Sequence, residues 1–436
     1  MLHAFRAGGA DAGSEAWAYV PALMMPGLYR LADRNYAAQH RYFFDGSPVA
    51  GDICPKAPPQ VCAADEWRTI LVGGFGAGGR GYYALDITDP AAPKALWQYS
   101  SADEPDLGLS FGNPVIAKRA DGAWIVVFTS GYNNLDPGDG RGYLYVLDAA
   151  SCSRLQKIAT GAGGGGAPAG LFRISAWVDS PSDNTARRIY GGDLLGNVWR
   201  FGIDRGDAVL LAELGWVGAV GAQLVTTRPE LAVVRRGSMQ YPVVIVGTGS
   251  YLGASDVASS GQQSICVLKD SLQPTGLGRV RRDGVLARQT LSTLAGGGRA
   301  ISAQPVDWAG GKGWYVDLDP GNASPGDRVN VDMQVQLGVL KAVGNVPSAS
   351  VCSQGGAAWL YALDLATGAA LPGAASAAFL ASGEALLTGV NTLRLKSGRT
   401  STLAADSSGR ISSFADPGQP PGPGRVKRVE WREITD

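Results

Sequence analysis

Charge of one sign is what this sequence most plainly lacks. Its 38 lysines and arginines are cancelled by 38 aspartates and glutamates, and only 17% of residues are charged. No global basic field exists to gather nucleic acid or anionic lipid, so neither is expected as a partner. Histidine is nearly missing: His3 and His40 are the only two, which leaves acid–base catalysis few candidates. No apolar run reaches the roughly 18–20 residues of a membrane span. Met1–Phe5 has neither the basic nor the apolar region of an export signal and reads as a strand already under way. The chain is therefore expected to be the C-terminal part of a longer exported protein.

Cysteine is sparse too. Cys54, Cys62, Cys152, Cys266 and Cys352 form an odd set without metal-ligand spacing. Cys54 and Cys62 flank the loop PKAPPQV. Two readings stay open for them, a small-loop disulfide in an oxidising compartment or two reduced surface thiols. Cys266, in SICVL, reads as a buried small hydrophobe.

What the chain has in quantity is glycine and proline, 62 and 25 residues, the composition of many short strands joined by turns. The clearest stretch is Ile189 to Asp204, IYGGDLLGNVWRFGID. Ile189 and Tyr190 enter a hairpin, Gly192-Asp193 and Gly196-Asn197 reverse it, and Val198, Trp199, Phe201 and Ile203 leave with apolar side chains. Asp193, Asn197 and Trp199 are read as structural anchors.

Similar exit strands recur as HAF (3–5), YYALD (82–86), YLYVLD (143–148), ICVLKD (265–270), WYVDLD (314–319), WLYALD (359–364) and ISSFAD (411–416). Four short strands per unit is the blade of a β-propeller. The expected fold is all-β: one propeller domain over residues 1–436, of about seven blades with eight as the alternative, carrying loop insertions. Its first blade lacks earlier strands, and the first and last motifs share a closing blade that removes open sheet edges. Residues 21–66 read as an insertion, with a short helix from Pro21 to Tyr36, a strand at 40–48 and the Cys54/Cys62 loop.

The wording and order of these segments resemble the C-terminal propeller of the PilY/PilC family, the type IV pilus biogenesis and tip-adhesin proteins. The resemblance is carried by MLHAF with EAWAYVP, HRYFFDGSP, WRTILVGGFGAGGRGYYALDITDP, DLGLSFGNPVIAK with SGYNN, GYLYVLDA, YGGDLLGNVWRFGID, VGTGSYL and RVEWREI, in collinear order over nearly the entire chain. It implies a non-enzymatic module at the pilus tip or outer surface that supports pilus assembly and counteracts retraction. The implied partners are pilin-like subunits, with host or abiotic surfaces met by the full-length protein.

The resemblance also implies a calcium loop just before the YGGD strand, with acidic residues at its first, third, fifth and ninth places. This sequence has Asp179, Pro181, Asp183 and Arg187 there. Pro181 offers no side-chain oxygen and Arg187 adds positive charge, so Ca²⁺ binding is expected to be weak or absent. Asp136 and Asp139 in NNLDPGDG make a second acidic loop with few carboxylates.

Other patterns lose to plainer readings. Gly76, Gly78 and Gly81 spell GxGxxG, but a strand follows where a dinucleotide site needs a helix. Gly108, Ser110 and Gly112 match a GxSxG elbow, but both histidines lie upstream of Ser110. The aromatic-Asp strands leave a quinone-dependent dehydrogenase as the enzymatic alternative, and a generic protein-interaction scaffold as the third reading. Arg425, Lys427 and Arg428 read as a solvated edge strand, with a local basic patch as the alternative.

Overall fold

Strand-forming runs such as Gly81–Asp86 and Arg141–Asp148 are buried on both faces. A strand so placed must lie inside a sheet covered on each side, because its side chains alternate between the two faces. The computed structural model describes residues 1–180, 182–215, 223–282, 284–322, 326–348, 355–395 and 400–415.

In chain order the described sheets begin with the hairpin Leu2–Phe5 and Glu15–Tyr19. Three four-stranded antiparallel sheets follow. They are Val49–Ile53 with Arg68–Gly74, Gly81–Asp86 and Lys94–Ser100; then Val115–Lys118 with Trp124–Thr129, Arg141–Asp148 and Arg154–Gly163; then Ile174–Val178 with Ala186–Gly192, Asn197–Gly202 and Asp207–Glu213. A five-stranded, a six-stranded and a three-stranded sheet complete the described set. Each four-stranded sheet is traversed strand by strand in sequence order, as a propeller blade is.

The chain divides into two compact units, Met1–Ile189 with Phe201–Ala208, and Tyr190–Arg200 with Val209–Asp436. In the first, Ile70, Val72, Tyr82 and Ala84 from one sheet meet Val126, Phe128, Tyr145 and Leu147 from the next. The Tyr82 and Phe128 rings stack with centroids 4.1 Å apart. Tyr83 and Leu85, pointing the opposite way, join Phe75 against Leu2, Trp17 and Tyr19. In the second, Val243, Ile245, Val267, Trp314 and Val316 pack on Leu340, Ala342, Tyr361 and Leu363. Trp314 donates its indole N–H to Leu365 O at 2.8 Å. Gly368, at φ +69°, is required beside it, because a Cβ there would lie 2.7 Å from the Trp314 ring.

Several expectations need correcting. The first and last motifs do not share a sheet among the described residues: Leu2–Phe5 pairs with Glu15–Tyr19, and Ile411–Ala415 with Thr400–Asp406. WYVDLD does not found a blade of its own. Gly313–Asp317 pairs antiparallel with Ser264–Lys269, so two exit strands share one sheet, and Ser264 Oγ donates to Asp317 Oδ1 at 2.7 Å across that pair.

Residues 40–48 are irregular up to the last, not a strand. Phe44 buries its ring against Tyr83 at 5.1 Å and Phe75 at 6.0 Å without needing a ladder, and pairing starts only at Val49. The helical stretch is a 3₁₀ segment, Ala22–Ala32, since Pro26 inside it removes a donor that an α-helix requires. Of the two cysteine readings the structure takes the disulfide: Cys54 and Cys62 are bonded, with Cα atoms 5.7 Å apart. Cys266 is fully buried, which pushes its thiol up to about 12. Cys352, Pro181 and the segment with Arg425, Lys427 and Arg428 lie outside the described residues.

Candidate functional site

The loop between Ile174–Val178 and Ala186–Gly192 carries Asp179, Asp183 and Arg187. Asp179 Oδ2 accepts from Arg187 Nε at 3.0 Å. Asp183 Oδ1 accepts from Lys118 Nζ at 2.5 Å, and Lys118 ends the strand Val115–Lys118. That bond and one to Thr185 hold the Asp183 carboxyl below its ordinary value of 3.8. The group is therefore ionised at neutral pH. Its stabilising contribution is present above about pH 4 and is lost as pH falls further.

The loop is also pinned through its backbone. Lys118 N donates to Asn184 O at 2.9 Å, Asn184 Nδ2 donates to Ile116 O at 3.1 Å, and Asn184 turns the chain at φ 53°. Each acidic side chain thus has a lysine or arginine where an oxygen-ligated cation would need it free.

The second acidic loop follows the same rule. Arg80 donates to Asn133 O at 2.9 Å, Leu135 O at 3.0 Å and Asp136 O at 3.2 Å, so a guanidinium fills a cup of three carbonyl oxygens. Asp139 accepts from Tyr143 Oη at 2.7 Å and Arg141 N at 2.8 Å. Among the described residues, no three His, Cys, Asp or Glu side chains converge as a metal site.

Beyond the loop, Asp193, Asn197 and Trp199 are brought together around one carboxylate. Asp193 is buried; its Oδ1 accepts from Leu195 N and Asn197 N, both at 2.9 Å, and its Oδ2 from Asn197 Nδ2 at 2.9 Å and Trp199 Nε1 at 2.8 Å. Burial raises the Asp193 carboxyl while these four donors pull it down. Gly192 before it must be glycine, because a Cβ would meet Val225 Cγ1 at 2.3 Å. Asp270 then ties the hairpin to the following sheet, accepting from Tyr190 Oη at 2.7 Å and Arg200 Nη1 at 2.5 Å.

A family model described as the PilY1 beta-propeller domain matches residues 1–209. The type IV pilus biogenesis factor PilY1 homolog of Xylella fastidiosa is 31% identical over 397 residues, which is 86% of this chain and 26% of that protein. Type IV pilus biogenesis factor PilY1 of Pseudomonas aeruginosa is 31% identical over 415 residues, 84% of this chain and 34% of that protein. The crystal structure of the P. aeruginosa PilY1 C-terminal domain matches with a TM-score of 0.69 at 25% identity, covering 93% of this chain and 89% of that one. Residues 1–209 belong to the PilY1 β-propeller family. The chain spans about a quarter to a third of the length of these curated relatives.

In this PilY1-type propeller Ser110 and the two histidines each have a partner of their own. Ser110 of the GxSxG pattern is 1% exposed; its Oγ donates to Gly81 O at 2.6 Å and accepts from Phe75 N at 2.9 Å. His3 pairs with Glu15 at 2.8 Å, and His40 meets the Tyr42 ring edge-on at 4.9 Å. Sequence reasoning missed Lys118 and Arg80. Each acts on a loop more than 50 positions along the chain (|i−j| of 65 for Lys118–Asp183, and 53 to 56 for Arg80), and neither lies in a pattern that marks it. Arg187 was visible as an intruding charge, but not as the partner of Asp179.

Proposed function

We propose that this chain is the propeller module of a type IV pilus biogenesis factor and acts without catalysis. In this reading it supports pilus assembly and counteracts retraction through contacts with pilin-like subunits at the pilus tip. Its place is the outer surface, and adhesion to host or abiotic surfaces belongs to the full-length protein. The observation that carries the reading is the match along 93% of this chain to the PilY1 C-terminal domain, together with the pilus biogenesis names of the curated relatives. No helix of the described residues is long and apolar enough to cross a membrane. Deleting the segment encoding this chain in its host is expected to abolish or sharply reduce surface pilin in sheared fractions and to shrink twitching zones. Normal piliation and twitching would sink the reading.

The residues present do not fit the calcium site that the family resemblance implies. The loop works instead with cations of its own, Arg187 on Asp179 and Lys118 on Asp183. Calorimetric titration of the chain is expected to show no Ca²⁺ binding at this loop tighter than about 10⁻⁴ M, the weak end of protein calcium sites. The double variant Pro181→Asp/Arg187→Asp, which restores carboxylates at two places, is expected to gain at least about tenfold in affinity. Tight binding by the unaltered chain, abolished by Asp179→Ala, would overturn this.

A further inference from the structure

The 3₁₀ segment Ala22–Ala32 lies beside residues 41–43 and 77–78, and a groove of about 570 Å³ runs between them. Met24, Tyr29, Tyr42 and Phe43 contribute its apolar lining, and Arg30 and Arg41 enter it from the two segments that form its walls. Tyr29 is 71% exposed and Tyr42 56%. Two large aromatic rings held at the mouth of one groove are the composition of a contact surface, since isolated exposed rings need no explanation but clustered ones do.

The charges point the same way. Between residues 21 and 43 the chain has Arg30, Arg34 and Arg41 against Asp33 alone, and Asp33 Oδ1 already accepts from Asn35 N at 2.8 Å. Elsewhere in the same unit basic side chains find carboxylates, Lys56 on Glu66 and Arg68 on Asp86. Arg30 and Arg41 have no carboxylate partner among the described residues; Arg30 rests 5.6 Å from the Tyr29 ring. A planar guanidinium beside an aromatic ring is suited to a bidentate carboxylate on one side and apolar contact on the other.

We propose that this groove docks an acidic peptide segment of a protein partner, one that alternates carboxylates with aromatic side chains. Its carboxylates pair with Arg30 and Arg41, and an aromatic ring enters beside Tyr29 and Tyr42. The volume suits a few side chains rather than a folded face, being within the range of about 300–1,000 Å³ usual for ligand sites. A concave groove with its cations in the lining favours a peptide over a lipid surface, which is met by a protruding amphipathic face. The proposal stands apart from the pilus reading, because its test is direct binding in solution.

The probe is a capped, fluorescein-labelled Gly/Ser peptide carrying interspersed Asp and Tyr, followed by anisotropy with the 436-residue chain. Two control peptides replace every Asp by Asn, or every Tyr by Ala. The chain is expected to bind the first peptide at least about tenfold more tightly than either control, and to weaken as salt is raised. The same loss is expected in Arg30→Glu/Arg41→Glu and, through the aromatic half of the groove, in Tyr42→Ser. All three side chains are partly or fully solvated, so unchanged thermal unfolding serves as the folding control. Equal binding of the three peptides, or binding that survives the charge reversal, would overturn the proposal. So would the converse pattern, in which phosphatidylglycerol vesicles bind through the two arginines and the peptide does not. Peptide binding combined with normal piliation of the deletion strain would sink the pilus reading alone.

Discussion

Replacing Arg299 by alanine is expected to lower the stability of the unit that contains it by about 3–5 kcal/mol, because it strands a buried carboxylate. Arg299 is 1% exposed. Its guanidinium donates to Asp327 Oδ2 and to the Tyr361 hydroxyl, and to Leu318 O at 2.8 Å, while its carbon lies 3.8 Å from the centre of the Trp359 ring. Tyr361 Oη also donates to Asp327 Oδ2 at 3.1 Å, so one carboxylate oxygen gathers the network. Gly344 belongs to the same packing, because a Cβ there would fall 2.2 Å from Asp327 Oδ1.

Urea unfolding followed by tryptophan emission would measure the loss, and a change below about 1 kcal/mol, the scale of an exposed pair, would contradict it. Charge burial gives the site a pH signature. Burial pushes the Asp327 carboxyl up to about 6 against the pull of Arg299 and Tyr361. A raised carboxyl contributes stability that is complete below its unfolded value, near 4, and is lost as pH rises through about 6. The chain should therefore gain stability from this group between pH 7 and pH 5, and Asp327→Asn should remove that part of the gain.

The second large effect is expected at Asp193. Asp193→Ala removes the acceptor for four hydrogen bonds, from two backbone N–H groups, one amide and one indole. The carboxylate is fully buried, so its donors cannot all turn to water, and a loss of about 3 kcal/mol follows from the cost of unsatisfied buried donors. Asp193→Asn keeps the shape and part of the acceptance and should cost about half as much. Trp199 emission should shift to the red in the alanine variant as its indole loses its partner. An alanine variant with the unfolding midpoint of the parent chain would show that the hairpin is held by its strands alone.

Much of this was readable from residue order. The hairpin from Ile189 to Asp204 announced its turn through Gly192-Asp193 and Gly196-Asn197, and the aromatic-Asp strands announced repeated sheets, because both signals are local in the chain. Which exit strands share a sheet was not readable from them. Whether an exit strand opens a sheet or joins one already begun depends on which strand it pairs with in space, and similar exit strands carry no label of their sheet. WYVDLD illustrates the limit, since its pattern matches a blade strand while its partner is Ser264–Lys269. The 40–48 segment fails for a different reason: Phe44 obtains its burial from Phe75 and Tyr83 in an irregular backbone.

The sequence by itself determined the all-β class and the turn chemistry, and it set Arg187, a positive charge wherever it folds, in the same loop as Asp179. Only the tertiary structure decided which cations face the acidic loops, that Cys54 bonds Cys62, and that Arg299 is buried against Asp327. Local propensity and side-chain charge are properties of a residue and its near neighbours. Ion pairing and burial are properties of distance in space, and Lys118 reaches Asp183 only because the strand Val115–Lys118 lies alongside the loop.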